Sequence, residues 1–406
     1  MARTAATLSR DPRLADHITL GVITKTVRLE AIHASLVATG TTSRRQRDLP
    51  AHVVVYYVIA LALYMQVSTR EVLRCLFEGL RWLQDPGTPI RVAGKSAISQ
   101  ARTRVGWAPL AQLYHEVARP LAAPATVGAW YGARRLMTLD GTTLDVADTA
   151  ANAAAFGRPG ASRGASGFPQ IRLVALVENG THALCASALG GVQTGEVTLA
   201  RTVVDTLTPD MLCVADRNFF GFALWTRAQA TGAALLWRIK KNLQLAPEQL
   251  LADGSYLSTI YPSLADRRHR TRGVRVRVID YHLDGVSEAE SVYRLMTTLL
   301  EPATAPASDL AALYHERWEI ETAFDELKTH LRGARIVLRS KTPDLVRQEC
   351  YGLLLAHYAV RALMHEAALR AGADPDRLSF VHAVRVVRRK LPLYAALPPS
   401  DPRRRA

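Results

Sequence analysis

Residues 134–146 read RRLMTLDGTTLDV and residues 211–222 read MLCVADRNFFGF. Each begins with a short apolar run of strand length that ends in an aspartate, Asp140 in the first and Asp216 in the second. Between them, Ile171–Val177 (IRLVALV) and His182–Leu189 (HALCASAL) are strand-like. The turn signal Glu178-Asn179-Gly180-Thr181 separates these two, so a hairpin is expected. Residues 195–207 carry a helical apolar pattern, residues 221–230 read as helix and residues 233–239 as strand. Three strands, a helix, a strand and another helix predict a mixed sheet with helices packed on it. In that arrangement Asp140 on the first strand and Asp216 at the end of the fourth can be neighbours, although they lie 76 positions apart (216 minus 140).

Further along, Tyr314, Arg317, Glu321 and Lys328 form a Tyr-x2-Arg-x3-Glu-x6-Lys string. At about 100° per residue on a helix, the four side chains fall within an arc of roughly 60°. Leu313, Ile320, Phe324, Leu327 and Leu331 make a separate apolar stripe, while Glu316, Glu319 and Glu326 point to the far side. A phenol, a guanidinium, a carboxylate and an ammonium presented together suit phosphate, because Arg grips it bidentately, Lys adds a point charge and Glu can hold a metal ion. The same spacing also fits an ordinary amphipathic helix in which Arg317–Glu321 and Glu321–Lys328 are salt links.

Taken in order, Asp-Gly-Thr at Asp140, Asp-Arg-x-Phe at Asp216 and the Tyr-Arg-Glu-Lys string resemble the signature of the insertion sequence 4 family of bacterial transposases. The resemblance runs from roughly residue 15 to 395. It implies an α/β fold: a ribonuclease H-like mixed β-sheet core with a β-rich insertion, a helical N-terminal domain and a helical C-terminal region. It implies Asp140, Asp216 and Glu321 as an Asp-Asp-Glu catalytic triad that ligates metal. Tyr314, Arg317 and Lys328 are then the residues that hold a DNA phosphate. The implied activity is DNA cleavage at inverted terminal repeats, followed by strand transfer into target DNA by a cut-and-paste route. A DNA-binding repressor of transposition that no longer cuts, and a nuclease that does not transpose, are the alternatives.

Charge explains the choice of acids. In-line displacement at an anionic phosphorus is served by two divalent cations roughly 3.5–4 Å apart. Mg2+, for which Mn2+ can substitute, prefers carboxylate and water oxygens in octahedral geometry, hence Asp and Glu rather than His or Cys. Asp140 would bridge both ions, with Asp216 completing one site and Glu321 the other. Asp145 and Asp148 rank below Asp140, and Asp145 would face the other side of a continuous strand. Asp325, one helical turn from Glu321, is the main rival for the third position.

The family residues that hold the phosphate sit beside a flipped terminal base, which allows a hairpin intermediate. Hairpin-forming relatives stack a Trp from the insertion on that base. The six Trp here, at 82, 107, 130, 225, 237 and 318, all lie outside residues 240–305. Tyr256, Tyr261, Tyr281 and Tyr293 are the alternatives, and Trp237 and Trp318 are read as packing residues.

The stretch from Asp216 to Glu321 is too long for a structureless connection and should itself be folded. Residues 272–280 (RGVRVRVID) alternate Val274, Val276 and Val278 against Arg275 and Arg277, a half-buried strand with a basic outer face. Residues 292–299 read as a second strand after the turn signal Asp284-Gly285. Together these predict a β-rich insertion at about residues 240–305 within a catalytic domain of residues 131–340. Its arginines suit either a DNA backbone or a charge-protected edge strand.

Residues 1–130 read as a helical unit; the resemblance implies that it is the N-terminal DNA-binding domain that recognises the transposon end, and a basic solvent face of a helical bundle is the alternative. Ser68 and Glu71 form a capping box, residues 85–89 form a turn, and a helix from Ser96 carries Lys95, Arg102 and Arg104 on its flank. Residues 156–168 are a Gly-rich connection. Residues 341–406 read as a helical C-terminal region, with helices at 343–370 and 376–390 and a basic tail. Arg217, Arg275, Arg277, Arg102 and Arg104 are candidate DNA contacts.

Composition points to the same partner. Lys plus Arg exceed Asp plus Glu by 51 to 36 among 406 residues, a net charge of +15 that attracts polyanions without specifying which. Expected partners are double-stranded DNA, as terminal repeats and target, and a second copy of the chain in the DNA complex. The four cysteines lack CxxC spacing and are expected to be reduced thiols of a cytoplasmic, nucleoid-associated bacterial protein. Export is not expected, because the N-terminus lacks a signal-peptide pattern. Residues 49–65 (LPAHVVVYYVIALALYM) are apolar enough to raise a membrane span but fall short of the usual ~20 residues, so a buried helix is expected.

Overall fold

A computed structural model of the chain describes residues 15–43, 49–84, 92–161, 164–165, 167–240, 243, 245–282, 292–333 and 336–389. The turn at 85–89, Asp284-Gly285 and Lys390 therefore lie outside the described residues. Among the described residues ten strands build one sheet, the eight longer ones being β1 Arg134–Asp145, β2 Gln170–Glu178, β3 Ala183–Gly191, β4 Met211–Ala215, β5 Ala234–Arg238, β6 Tyr256–Ile260, β7 Val274–Tyr281 and β8 Tyr293–Thr297. Their spatial order is β3-β2-β1-β4-β5-β8-β7-β6, with the short strand Gln249–Leu250 at the edge beyond β6 and Trp130–Tyr131 pairing with β1. β1, β4 and β5 run parallel, whereas the β1–β2–β3 pairings and all those beyond β5 are antiparallel. The first five strands, with helix Glu196–Val204 before β4 and Phe222–Gln229 before β5, form the mixed sheet with packed helices that the sequence predicts.

Strand periodicity divides the core residues between the two faces. Met137 and Leu139 of β1 join Val174, Leu176, Cys213, Leu235 and Trp237 beneath helices Glu196–Val204 and Phe222–Gln229. Leu136 faces the other way with Leu212, Val214 and Leu236, against helix Ala307–His315. Even-numbered Asp140 and Thr142 project to that second side.

β6, β7 and β8 do not fold apart from the sheet. β8 pairs with β5 through Leu295–Arg238, Met296–Trp237 and Thr297–Leu236, so β6–β8 continue the same layer. This placement overturns the expected basic outer face of β7 at Arg277, while Arg275 on the same face is exposed. Arg277 is fully buried because β7 is flanked on both sides and covered: Arg277 binds Asp253, donates to Ser255 Oγ at 2.8 Å and to the Ala305 carbonyl at 2.6 Å.

The apolar stretch near the N-terminus forms helix Ala51–Leu63, buried along nearly its whole length. A helix apolar on every side belongs inside protein, and it packs against the long helix Pro343–Ala371. Among the described residues, no helix is long and apolar enough to cross a membrane. Both helices share one core with Leu144, Ile171, Leu173, Ala175 and Val177 of the sheet. The last helix starts at Phe380, four residues later than expected, because Pro375–Arg377 is a separate 3-10 turn.

Candidate active site

Leu139 of β1 is in parallel register with Ala215 of β4, so the next residues along the two strands, Asp140 and Asp216, emerge beside each other. Their backbones are about one strand spacing, 4.8 Å, apart. Across this side of the sheet runs the segment from Ala307 to Gly333. Where one uniform helix was expected, the backbone changes pitch. It is α-helical to His315, 3-10 over Glu316–Trp318, α-helical over Glu319–Asp325 and π-helical over Glu326–Gly333. Such widened turns inside helices often accompany functional sites. The predicted stripe of Leu313, Ile320, Phe324, Leu327 and Leu331 is buried throughout.

The polar residues of the segment meet the strand acids in order. Tyr314 Oη donates to Asp216 Oδ1 at 3.4 Å. Arg317 donates through Nη1 to Asp140 Oδ2 at 3.1 Å and through Nη2 to Glu321 Oε1 at 3.2 Å. Lys328 Nζ donates to Thr142 Oγ1 at 3.1 Å, and Thr142 shares the strand face of Asp140. Arg317 thus lies between Asp140 and Glu321 and touches both.

Burial pushes Asp140 up to about 6; the Gly141 amide and Arg317 pull it back, while Asp216 and Glu196 push it further up. Burial works against charge on Arg317, but Tyr314, Asp140, Asp216 and Glu321 leave its pKa raised, so it stays a cation. Burial, reinforced by Asp216, raises the Tyr314 phenol far enough to keep it a donor. Crowded carboxylates gathered round one guanidinium mark a place that needs positive charge. An all-oxygen donor set of this kind fits hard divalent cations.

Two neighbours of the site escaped sequence reasoning. Glu196 opens helix Glu196–Val204, and a Cβ on Gly141 would lie only 3.0 Å from its carboxylate carbon, so Gly141 admits a fourth acid beside Asp140. Nothing local in the sequence marks it. Thr142 was visible in the Asp-Gly-Thr-Thr run and Lys328 in the signature string, but their pairing was not.

The rival acids are engaged elsewhere. Asp325 is more than half exposed and pairs with His330 Nε2 at 3.2 Å, Asp145 accepts from Gln170 at 2.7 Å, and Asp148 pairs with Arg158 at 2.5 Å. Several other expectations are corrected. Besides Arg277, Arg102 is buried, bonding Gln348 at 2.8 Å, Ser340 at 3.0 Å and the Leu345 carbonyl at 3.2 Å, so neither can meet DNA without leaving the core. Arg104 is exposed yet reaches the Leu49 carbonyl at 3.1 Å, Arg275 is exposed with Gln249 at 3.2 Å, and Arg217 is half-buried next to Asp216. Glu326, one of the far-side acids of the segment, is buried and bound by Arg361 and by His357 at 3.2 Å. Trp237 packs at 0% exposure, whereas Trp318 is 60% exposed beside Arg317 and is no packing residue. Tyr256 is buried, and Tyr281 stacks on Tyr293 with ring centroids 5.3 Å apart.

Residues 17–115 match the family described as insertion element 4 transposase N-terminal, and residues 131–359 match the transposase DDE domain. The chain is 29% identical over 365 residues to the transposase InsG for insertion sequence element IS4 of Escherichia coli (strain K12), covering 89% of this chain and 80% of the relative. A cryo-EM structure of a piggyBac transposase synaptic complex with hairpin DNA aligns with 94% of this chain and 80% of its own, at 13% identity and a TM-score of 0.46. The transposase DDE match alone spans more than half of the sequence, and the chain belongs to the insertion element 4 family of DDE transposases, enzymes that cleave DNA and transfer its strands with the help of divalent metal.

Proposed function

We propose that this transposase cuts both strands at the inverted repeats that end its element and joins the freed 3′ ends to target DNA, using Asp140, Asp216 and Glu321 as metal ligands. The observation that carries this reading is the adjacency of Asp140 and Asp216 with Arg317 bonded to both Asp140 and Glu321. Two Mg2+ ions, or Mn2+ in their place, would supply the Lewis acidity that activates the attacking oxygen and stabilises the leaving one. The remaining work falls to side chains. When a DNA end enters, Arg317 exchanges its carboxylate partners for a phosphate, which it grips through two parallel N–H donors. Tyr314 adds a hydroxyl donor, and Lys328 adds charge along the same strand face. Trp318, exposed next to Arg317, offers a stacking surface for a base turned out of the duplex, which supports a hairpin step.

The DNA-bound protein is proposed to be a homodimer, and the described exposed arginines, Arg275 on β7 and Arg104 in the N-terminal region, are retained as DNA contacts. The three-part division at residues 130 and 340 is proposed as a division of function, end recognition against cleavage, laid over helices that share a core. Mg2+-dependent nicking of a terminal-repeat oligonucleotide, followed by its capture in a target plasmid, tests the reading. Nicking without capture would leave a nuclease, and tight end binding with neither would leave a repressor.

A further inference from the structure

A second group of metal-ligating side chains lies on the other side of the signature segment. His182, Glu319 and Asp376 each offer one ligand atom, and these atoms lie within 4.8 Å of one another. They come from three distant parts of the chain: the β2–β3 turn, the start of Glu319–Asp325, and the 3-10 turn Pro375–Arg377. His182 is only 4% exposed. Its Nε2 lies 3.2 Å from Asp376 Oδ1 and 3.9 Å from Glu319 Oε2, yet it is buried without a hydrogen bond of acceptable geometry to either. A buried ring nitrogen thus points between two carboxylates and bonds neither.

The far edge of the same ring is held. Nδ1 lies 3.4 Å from Glu326 Oε1, and that carboxylate is fixed by Arg361 and by His357 Nε2 at 3.2 Å. Arg361 Nη2, which can only donate, also reaches Nδ1, so with no ion bound Nδ1 accepts from Arg361. An ion would select the other tautomer, whose Nδ1 proton goes to Glu326 and whose Nε2 lone pair faces Glu319 and Asp376. This is the carboxylate–histidine arrangement that orients imidazoles on metal ions. Glu316 and Asp374 add further negative charge around Glu319. Spacing agrees as well: metal–ligand bonds of about 2.0–2.1 Å at tetrahedral angles place neighbouring ligand atoms ~3.4 Å apart, against the 3.2 and 3.9 Å found here.

We propose that His182 Nε2, Glu319 and Asp376 form a separate, structural cation site for Zn2+ or a similar borderline ion, distinct from the cleavage centre. One imidazole and two carboxylates suit Zn2+ or Co2+ better than Mg2+. The Asp376 side chain is one-third exposed, which leaves a fourth position open to water. The ion would tie the hairpin turn and the C-terminal turn to the signature segment two residues before Glu321, and so hold the third catalytic acid in place.

The test uses the full-length protein, stripped with chelator and titrated with Co2+. Expected are one equivalent carrying the visible absorption of a tetrahedral Co2+ centre, displaced by Zn2+, and a rise in melting temperature on Zn2+ addition. Asp140→Asn, which disables the cleavage centre, should keep that signal. Asp376→Asn, at an exposed turn, should weaken Co2+ binding at least tenfold while retaining binding to terminal-repeat DNA, which verifies its fold. Wild-type protein without a Co2+ signal, or Asp376→Asn with undiminished affinity, would overturn the site. Loss of the signal in Asp140→Asn would assign the ion to the cleavage centre instead.

Discussion

At the scale of single residues, Arg317 is the pivot of the site, because one guanidinium occupies the space between the acids proposed to accept metal. Replacing it with Ala should have opposite effects on two measurements. Mn2+ should bind the DNA-free protein more tightly, since a competing cation is gone, while terminal-repeat DNA should bind less tightly by about 1.5–3 kcal/mol, the worth of charge-assisted hydrogen bonds. Calorimetric titration of both ligands checks this, and unchanged Mn2+ affinity would count against a shared site. Trp318→Ala should cost about 1–3 kcal/mol of end binding if a base stacks there, with Trp318→Phe recovering most of it; equal binding by all three proteins would remove the stacking role. Much of this was legible from spacing, since Tyr314, Arg317, Glu321 and Lys328 share a helical face. Glu196 was not, because only the fold brings an acid from a helix start beside Gly141.

Among elements, the signature segment departs most from expectation. A periodic pattern predicts a helix but not where its pitch tightens or widens, since these depend on partners far away in sequence. Glu326 begins the π-helical stretch, and its partners His182, His357 and Arg361 lie 144, 31 and 35 positions away. Burial works to raise the pKa of Glu326, yet hydrogen bonds from His182 and His357 and the charge of Arg361 outweigh it and hold the carboxyl well below its usual range. A carboxylate depressed in the folded state contributes stability that is present above its unfolded pKa of about 4.3 and is lost as pH falls below it. Glu326→Gln should therefore lower stability at pH 7 by about 3–5 kcal/mol, by leaving Arg361 uncompensated. It should also flatten the acid limb of the melting curve. Thermal melts at pH 7 and at about pH 3 would show both effects, and a variant with the wild-type acid limb would refute the assignment. β7 failed as a basic outer strand for a related reason. Alternation of Val and Arg reports two faces but cannot say that the arginine face is covered at Arg277 and open at Arg275.

Across the described residues, the N-terminal and C-terminal helical regions close on each other. Helix Ala51–Leu63 and helix Pro343–Ala371 meet so closely at Gly352 that a Cβ there would lie 2.7 Å from Val58 Cγ1 and 2.8 Å from the Val58 carbonyl oxygen. Gly352→Leu should overpack this contact, costing about 1–3 kcal/mol or more, and should lower a single melting transition rather than split it. Two separate transitions would mean that the helical ends fold independently of the sheet. Sequence reading found the helices but took them as consecutive units, since nothing in a linear pattern states which buried faces meet. The central claim is that Asp140, Asp216 and Glu321 serve one metal centre at the DNA end. The most direct measurement is electron paramagnetic resonance of Mn2+ bound to the protein with an uncleavable terminal-repeat duplex. The account predicts a spin-coupled pair of Mn2+ ions, absent in each of Asp140→Asn, Asp216→Asn and Glu321→Gln although all three variants still bind the duplex; a coupled pair that survives any of these substitutions would contradict it.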